Sequence, residues 1–128
     1  MDQPVTITGF LAPYEMADTA EVLRGIVIGQ LPAITEQLDL PARMIAYCYG
    51  QRYTDMICTI IPSKKGLKLG FNKGNELPDP EGLLQGTGKV SRYIVILSEL
   101  LRQPAAIEGL LQEALAAYRR RAAVAGKS

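Results

Sequence analysis

A glycine-rich segment followed by two cationic side chains occupies residues 86–92, where Gly86, Thr87 and Gly88 precede Lys89 and Arg92. Main-chain amides of such a turn, together with two cations, can bind a phosphate or a carboxylate. The glycine spacing differs from that of a P-loop, and we expect a strand rather than a helix to follow. Turn statistics favour a plain glycine turn that enters a strand, and a small anion site is the functional alternative.

Three carboxylates lie close together in the sequence at Glu76, Asp79 and Glu81. Carboxylate oxygens suit a hard cation, so the segment is a candidate metal site. Capping chemistry explains most of the same pattern, because Asp79 precedes a proline and can cap a helical turn whose dipole Glu81 would complement.

Much of the aromatic content lies near the predicted strands, at Tyr47, Tyr49, Tyr53, Phe71 and Tyr93. Such side chains can line a small-molecule pocket with their polar tips inward. They could equally serve as core aromatics whose hydroxyls each find one partner. The candidate ligand-binding set consists of Tyr47, Tyr49, Phe71, Gly86, Thr87, Gly88, Lys89, Arg92 and Tyr93.

The chain contains no histidine, which excludes Ser-His-Asp and Cys-His catalysis and histidine metal ligands. Its two cysteines, Cys48 and Cys58, cannot complete a four-ligand zinc site and provide no disulfide framework. They share a sheet face if their strands pair even positions with even positions, and we interpret them as buried apolar thiols. No spacing of a nucleophile and a base stands out, so a non-catalytic protein is predicted.

The hydrophobic pattern predicts the helices that must support these residues. One helix is expected from Pro13 onward with Val22, Leu23 and Ile26 on its apolar face, followed by a short helix at about 32–39. Asp79-Pro80 predicts a single helical turn within the connection 73–90. A final amphipathic helix is expected from Pro104 to about Val124, with a buried stripe at Ile107, Leu110, Leu111, Ala114, Leu115 and Tyr118.

Antiparallel strands are expected at 43–49, 55–61 and 66–72, followed by a fourth strand at 91–97. If Ile61 opposes Leu67, the helix-packed face carries Ile57, Thr59, Leu67, Leu69 and Phe71. The second face would carry Met44, Ala46, Cys48, Met56, Cys58 and Ile60. Because that set is also apolar, we expect the N-terminal arm, the 73–90 connection or a second copy of the chain to cover it.

Together these elements predict an α+β fold, with a mainly antiparallel four-stranded sheet and N-terminal and C-terminal helices packed on one face, in the order α-α-β-β-β-β-α. The length predicts a single domain over residues 1–128, with 1–12 as an N-terminal arm. A net charge of +1 predicts no attraction to nucleic acid or to a membrane. The start of the sequence lacks the features of a signal peptide, so a cytoplasmic location is expected.

The stretch LKLGFNKGNELPDPEGLLQGTGKVSRYIVI resembles the YdhG-like family of small α+β domains of unknown function. The resemblance is carried by Gly70-Phe71, Leu77, Asp79-Pro80, Gly86, Gly88-Lys89, Arg92 and Ile94. A looser match extends over about residues 20–120. The resemblance implies a frataxin-like arrangement, and some members of the family are linked to intracellular iron handling.

The leading functional prediction is a cytosolic, non-catalytic binding or accessory domain that takes a small anionic ligand near residues 72–92, with a small molecule or a protein as its partner. One alternative is an iron-binding chaperone of the frataxin-like type, with iron implied by the resemblance alone. The other is a homo-oligomeric interaction module without a ligand, for which a homodimer is the commonest form.

Overall fold

The structure, a computed structural model, describes residues 5–125. Within that range the backbone forms four α-helices and five strands, so the fold is α+β with one strand more than the sequence predicted. The helices are α1 (Ile7–Leu11), α2 (Ala17–Gln30), α3 (Ser98–Arg102) and α4 (Ala105–Ala125). The strands are β1 (Thr35–Asp39), β2 (Met44–Cys48), β3 (Met56–Pro62), β4 (Leu67–Phe71) and β5 (Arg92–Val95).

All five strands form one antiparallel sheet in the order β1-β2-β3-β4-β5. The strands predicted at 43–49, 55–61, 66–72 and 91–97 are confirmed as β2 to β5. Apolar, β-branched runs bounded by glycine or proline are typical of such strands, and each of these runs is short enough to cross a small sheet once.

The additional strand, β1, occupies a segment for which the sequence predicted a helix at 32–39. After α2 ends, Ala33 takes a left-handed conformation with a φ of 60°, so the chain turns instead of continuing as a helix. Glu36 and Leu38 of β1 then pair with Tyr47 and Ile45 of β2, and these side chains lie on the helix-packed face of the sheet. The four-residue spacing of Ile34 and Leu38 fits a helical face as well, and for that reason the helix prediction was wrong.

The N-terminal segment predicted as an arm contains the short helix α1. The Thr6 hydroxyl caps this helix by accepting a hydrogen bond of 2.9 Å from the amide of Gly9. Leu11 is buried at the end of α1. Residues 1–4 of the predicted arm lie outside the described residues.

The first long helix, α2, begins at Ala17 rather than near Pro13. It buries Leu23, as predicted, and it also buries Val27. Val22, which the sequence placed on the apolar face, is 53% exposed. The apolar stripe of α2 is therefore rotated away from the predicted one.

The last helix, α4, carries the buried stripe that the sequence predicted. It packs with α2, and both helices contact β3. The stripe consists of Ile107, Leu110, Leu111, Ala114 and Leu115, all buried, with Tyr118 half-buried beside them.

Among the described residues, no helix combines the length and apolar character needed to cross a membrane.

The pairing of β2 with β3 and of β3 with β4 decides which side chains face the helices. Ile45 opposes Ile60, and Ile60 opposes Leu69, so even-numbered residues of β3 share a face with odd-numbered residues of β2 and β4. The prediction that Thr59 lies on the helix-packed face is therefore wrong. So is the prediction that Ile60 lies on the second face.

The turn between β3 and β4 explains this register. Ser63 and Gly66 exchange main-chain hydrogen bonds with N···O distances of 3.0 and 3.4 Å, which leaves a two-residue loop at Lys64-Lys65. Pro62, rather than Ile61, then opposes Leu67. A shift of one residue sends every side chain of a strand to the other face.

The two cysteines lie on opposite faces of the sheet, which corrects the prediction that they share one. Cys58 opposes Tyr47 and belongs to the core, whereas Cys48 is the next residue along β2 and points the other way. A bulge at Tyr47 and Cys48 leaves Ile57 as the extra residue of β3, and Ile57 also enters the core. Both thiols are buried, and burial raises the pKa of each.

A partly buried polar network ties α2 to the edge of the sheet. Arg24 donates two hydrogen bonds of 2.9 Å to the Glu36 carboxylate, and Tyr47 donates a third of 2.7 Å. The side chains of Arg24 and Glu36 are only 20% and 18% exposed. These bonds, those from Arg24 first, hold the pKa of Glu36 below its ordinary value, while burial raises the pKa of Tyr47.

Glu36→Gln should flatten the loss of stability in acid. Because the folded-state pKa of Glu36 is lowered, its carboxylate stabilises the folded state above its ordinary pKa of 4.5, and this contribution disappears as the pH falls through the folded-state pKa. Urea unfolding from neutral pH to about pH 3 measures the slope. We expect a shallower slope below pH 4.5 in the variant than in the wild type. Glu99→Gln, at an exposed site on α3, is the control, and equal slopes in both variants would contradict the role of Glu36.

Leu111→Ala should lower the free energy of unfolding by about 2–5 kcal/mol, because it leaves a cavity at a fully buried position of α4. Val22→Ala removes methyl groups from an exposed position of α2 and should change stability by less than about 0.5 kcal/mol. Chemical denaturation of both variants checks the difference. Similar losses in the two variants would show that the buried stripe is misassigned.

Candidate functional site

The sheet face turned away from α2 and α4, here called the open face, carries a groove of about 460 Å³. Its floor comes from residues of β2, β3 and β4 that alternate with core residues, and one wall comes from residues 86–88. The 73–90 connection thus covers part of the second face, as one of the predicted covers. The lining consists of Met44, Tyr53, Met56, Thr59, Ile61, Gly70, Phe71, Asn72, Gly86, Thr87, Gly88, Ser91, Arg92 and Tyr93.

The floor of the groove depends on the pairing of Thr59 with Gly70. Both residues are buried, and a Cβ atom at Gly70 would lie 2.7 Å from the Thr59 hydroxyl oxygen. The Thr59 side chain therefore occupies the position that a side chain at residue 70 would take, and the pairing requires glycine there. A glycine inside a strand often marks such a close approach.

The wall at residues 85–88 is held by the last strand. Gln85 and Tyr93 exchange main-chain hydrogen bonds of 2.8 and 3.0 Å, so the connection runs beside β5 before it passes Tyr93. Gly86 follows with a φ of 120°, and a Cβ atom there would lie 3.4 Å from the Tyr93 ring. Glycine suits this position because side chains rarely adopt that φ and the ring is close.

Two cationic side chains stand at the groove. The Lys68 ammonium lies 4.4 Å from the centroid of the Tyr93 ring, within the range of a cation–π interaction. Arg92 packs over Gly74, and its Nη1 donates to the carbonyl oxygens of Gly88 and Ser91, the latter at 2.8 Å. Among the lining residues, Arg92 is the only one with a charged side chain.

A buried amide contributes to the lining of the groove. The Asn72 side chain is 9% exposed, and its Nδ2 donates to the carbonyl oxygens of Tyr53 and Met56 at 3.2 and 3.4 Å. Its Oδ1 is buried and accepts no hydrogen bond from the described residues. The sequence analysis did not single out Asn72 as a site residue.

The structure brings together six of the nine predicted ligand-binding residues. These are Phe71, Gly86, Thr87, Gly88, Arg92 and Tyr93. The Phe71 side chain itself is buried in the hydrophobic core. Lys89 is exposed in the same connection but does not line the groove. The sequence missed Thr59 and Gly70, although a threonine and a glycine within apolar strands are a usable indication of a special position.

Tyr47 and Tyr49 lie away from the groove. The Tyr47 hydroxyl binds Glu36 on the helix side of the sheet. Tyr49 stacks on Tyr118 with a centroid distance of 5.5 Å and donates a hydrogen bond of 2.9 Å to the Pro32 carbonyl oxygen. Both tyrosines therefore act as packing residues, which is the second of the two interpretations of the aromatic set.

The three carboxylates of the candidate metal site are not gathered around a common point. Asp79 accepts hydrogen bonds of 2.9 Å from the amides of Leu83 and Leu84, and the predicted helical turn is instead a tight turn that ends at Gly82 with a φ of 66°. Glu76 lies 3.9 Å from Arg121. Across residues 5–125, no group of three or more acidic or cysteine side chains is placed to hold a metal ion.

A second cleft, of about 510 Å³, lies between residues 78–83 and the beginning of α4. Leu83 and Leu110 contribute apolar surface, and Glu81 and Glu113 contribute negative charge. Its charge is thus opposite in sign to that of the groove. The two sites would select different ligands.

Gly74→Ala should disturb the packing of Arg92 against residue 74. A Cβ atom at Gly74 would lie 2.6 Å from the Arg92 Cβ and 3.1 Å from its main-chain nitrogen, so the variant should lose about 1–3 kcal/mol of stability. Gly109→Ala is the matched control, because its Cβ would meet open space in α4 and should stabilise that helix by up to about 1 kcal/mol. Thermal and urea unfolding measure both effects, and a Gly74→Ala protein as stable as the wild type would contradict this packing.

The groove thus combines an apolar floor, a glycine-lined wall, one cationic side chain and a buried amide.

Comparisons of the chain with protein-family models, with curated proteins and with solved structures gave no match.

Proposed function

We propose that this protein is a non-catalytic binding domain whose groove takes a small organic anion with an apolar body. One observation carries this proposal. The groove is lined by a single charged side chain, that of Arg92, and by no carboxylate. A ligand with a negative charge would meet one cation within the lining and a second, Lys68, above Tyr93.

The size and composition of the groove suit a small molecule. Its volume of about 460 Å³ lies within the range of roughly 300–1,000 Å³ that ligand pockets occupy. Met44, Met56 and Ile61 supply apolar surface, and Tyr93 offers an aromatic face at the wall. These side chains and the Tyr93 ring could contact the apolar body of a ligand.

The cationic groups at the groove are partly preorganised for an anion. Two carbonyl oxygens fix Nη1 of Arg92, so the guanidinium need not be ordered when a ligand binds. Its Nε and Nη2 make no hydrogen bond to the described residues and remain free to donate. The exposed main chain at residues 86–88 can add amide donors.

The lining also supports a binding role rather than catalysis. It contains one buried hydroxyl, that of Thr59, and neither a carboxylate nor a cysteine. No histidine exists in the chain. A hydroxyl without a base within reach is a poor nucleophile, so bound ligands should be released unchanged.

Indole-3-acetate is a suitable first probe, because it joins a flat apolar ring to one carboxylate. Titration should shift the amide resonances of Gly70, Gly86, Thr87 and Gly88. Absence of any such shift at millimolar concentration would overturn the proposed function.

Lys68→Gln and Arg92→Gln should each weaken binding of the probe about two- to five-fold, more strongly at low salt, because exposed charges attract an anion weakly and are screened. Lys65→Gln removes the same charge from the β3–β4 turn and serves as the control. Isothermal titration of the three variants measures the difference. Equal effects of all three would indicate nonspecific attraction to the net charge.

A further inference from the structure

The buried amide of Asn72 has one orientation that satisfies its neighbours. Its Nδ2 donates to two carbonyl oxygens, those of Tyr53 and Met56, at 3.2 and 3.4 Å. A flipped amide would place Oδ1 against these same two acceptors, which is unfavourable. The assignment of the oxygen is thus fixed by the main chain around it.

The Asn72 Oδ1 is the one buried side-chain oxygen or nitrogen of the described residues that lacks a hydrogen-bond partner. Asn72 is 9% exposed and contributes to the lining of the groove. Buried acceptors are almost always paired, because an unpaired one has lost its water without compensation. Because Asn72 also lines the groove, a ligand bound there could supply the missing donor once the atoms that cover Oδ1 move aside.

The surroundings favour a donor without acceptor lone pairs. The main-chain oxygens of Tyr53 and Met56 already stand beside Asn72, and the Met56 side chain adds apolar surface. A hydroxyl would bring two lone pairs into this environment, whereas the N–H of an aromatic ring only donates. A ring N–H thus satisfies Oδ1 and leaves no new polar atom unpaired.

We infer that the groove selects organic anions whose apolar ring bears an N–H group, with Asn72 Oδ1 as the acceptor of that N–H. The inference rests on the proposed function, since it presumes that an anion occupies the groove. Asn72 is then the specificity-determining residue, and the cations at Arg92 and Lys68 supply attraction without regard to the ring. Oδ1 is fully covered in the free protein, so the inference requires that the lining around it move aside when the ligand enters.

A matched pair of ligands tests the inference on the unaltered protein. Indole-3-acetate and 1-benzothiophene-3-acetate have the same charge and nearly the same shape, but only the former has an N–H. We expect indole-3-acetate to bind about three- to ten-fold more tightly by isothermal titration, the amount that one hydrogen bond contributes. The more apolar benzothiophene would bind better if burial alone decided the affinity.

The outcomes separate the inference from the proposed function. If both acids bind with equal affinity, or the benzothiophene binds more tightly, the inference is overturned and the proposed function stands. If neither acid binds at millimolar concentration, both are overturned. A preference for indole-3-acetate, accompanied by a downfield shift of its N–H proton in the complex, supports the inference.

Two variants identify the acceptor. Asn72→Ser should abolish the preference between the two acids, while the isosteric Thr59→Val, which removes the other buried polar side chain of the lining, should preserve it. A preference that survives Asn72→Ser but disappears in Thr59→Val would overturn the role of Asn72. Should Asn72→Ser fail to fold, because it loses both bonds from Nδ2, Thr59→Val still decides: the inference requires that it keep the preference.

Discussion

The register between β2, β3 and β4 is the constraint on which the rest of the structure depends. It places Ile45, Ile60 and Leu69 in one row beneath the helices. The same register places Thr59 and Gly70 in the neighbouring row on the open face. A slip of one residue would turn Thr59 into the core and would bring Ile60 and Cys58 into the groove. The two-residue turn at Lys64-Lys65 prevents such a slip, because its hydrogen bonds fix Pro62 opposite Leu67.

The open face acquires a groove because the helices pack on only one side of the sheet. The network of Arg24, Glu36 and Tyr47 fastens α2 to the strands on that side. On the other side, the connection between β4 and β5 runs past Tyr93 and supplies only one wall of the groove. The result is a rigid floor of paired strands beside a wall of glycine-rich main chain. Sites of this kind combine a fixed scaffold with adaptable loop contacts.

Much of the fold could be predicted from local patterns. The apolar runs of β2 to β5 and the buried stripe of α4 each have a periodicity that predicts the element, and the structure confirms these elements. β1 could not be predicted in this way, because the partners of Glu36 are Arg24 and Tyr47, which lie in other elements. Its pattern of exposure is set by contacts that no local window contains.

The register of β3 was beyond local patterns for a related reason. Both alternating sets of this strand are apolar, apart from Thr59, so periodicity does not say which set faces the helices. The glycine-rich wall and Arg92 could be identified as a candidate site from their residue types. Tyr47 and Tyr49 could not be separated from Tyr93, because only the register assigns each tyrosine to a face.

The position of a bound anion tests the central claim most directly, namely that the open face is the binding surface. Isotope-filtered NOEs report which protein protons contact the ring of indole-3-acetate in the complex. The account predicts NOEs to the Thr59 methyl group, the Gly70 α protons and the Tyr93 ring. NOEs to Leu83 and Leu110, in the acidic cleft beside α4, with none to Gly70, would contradict it.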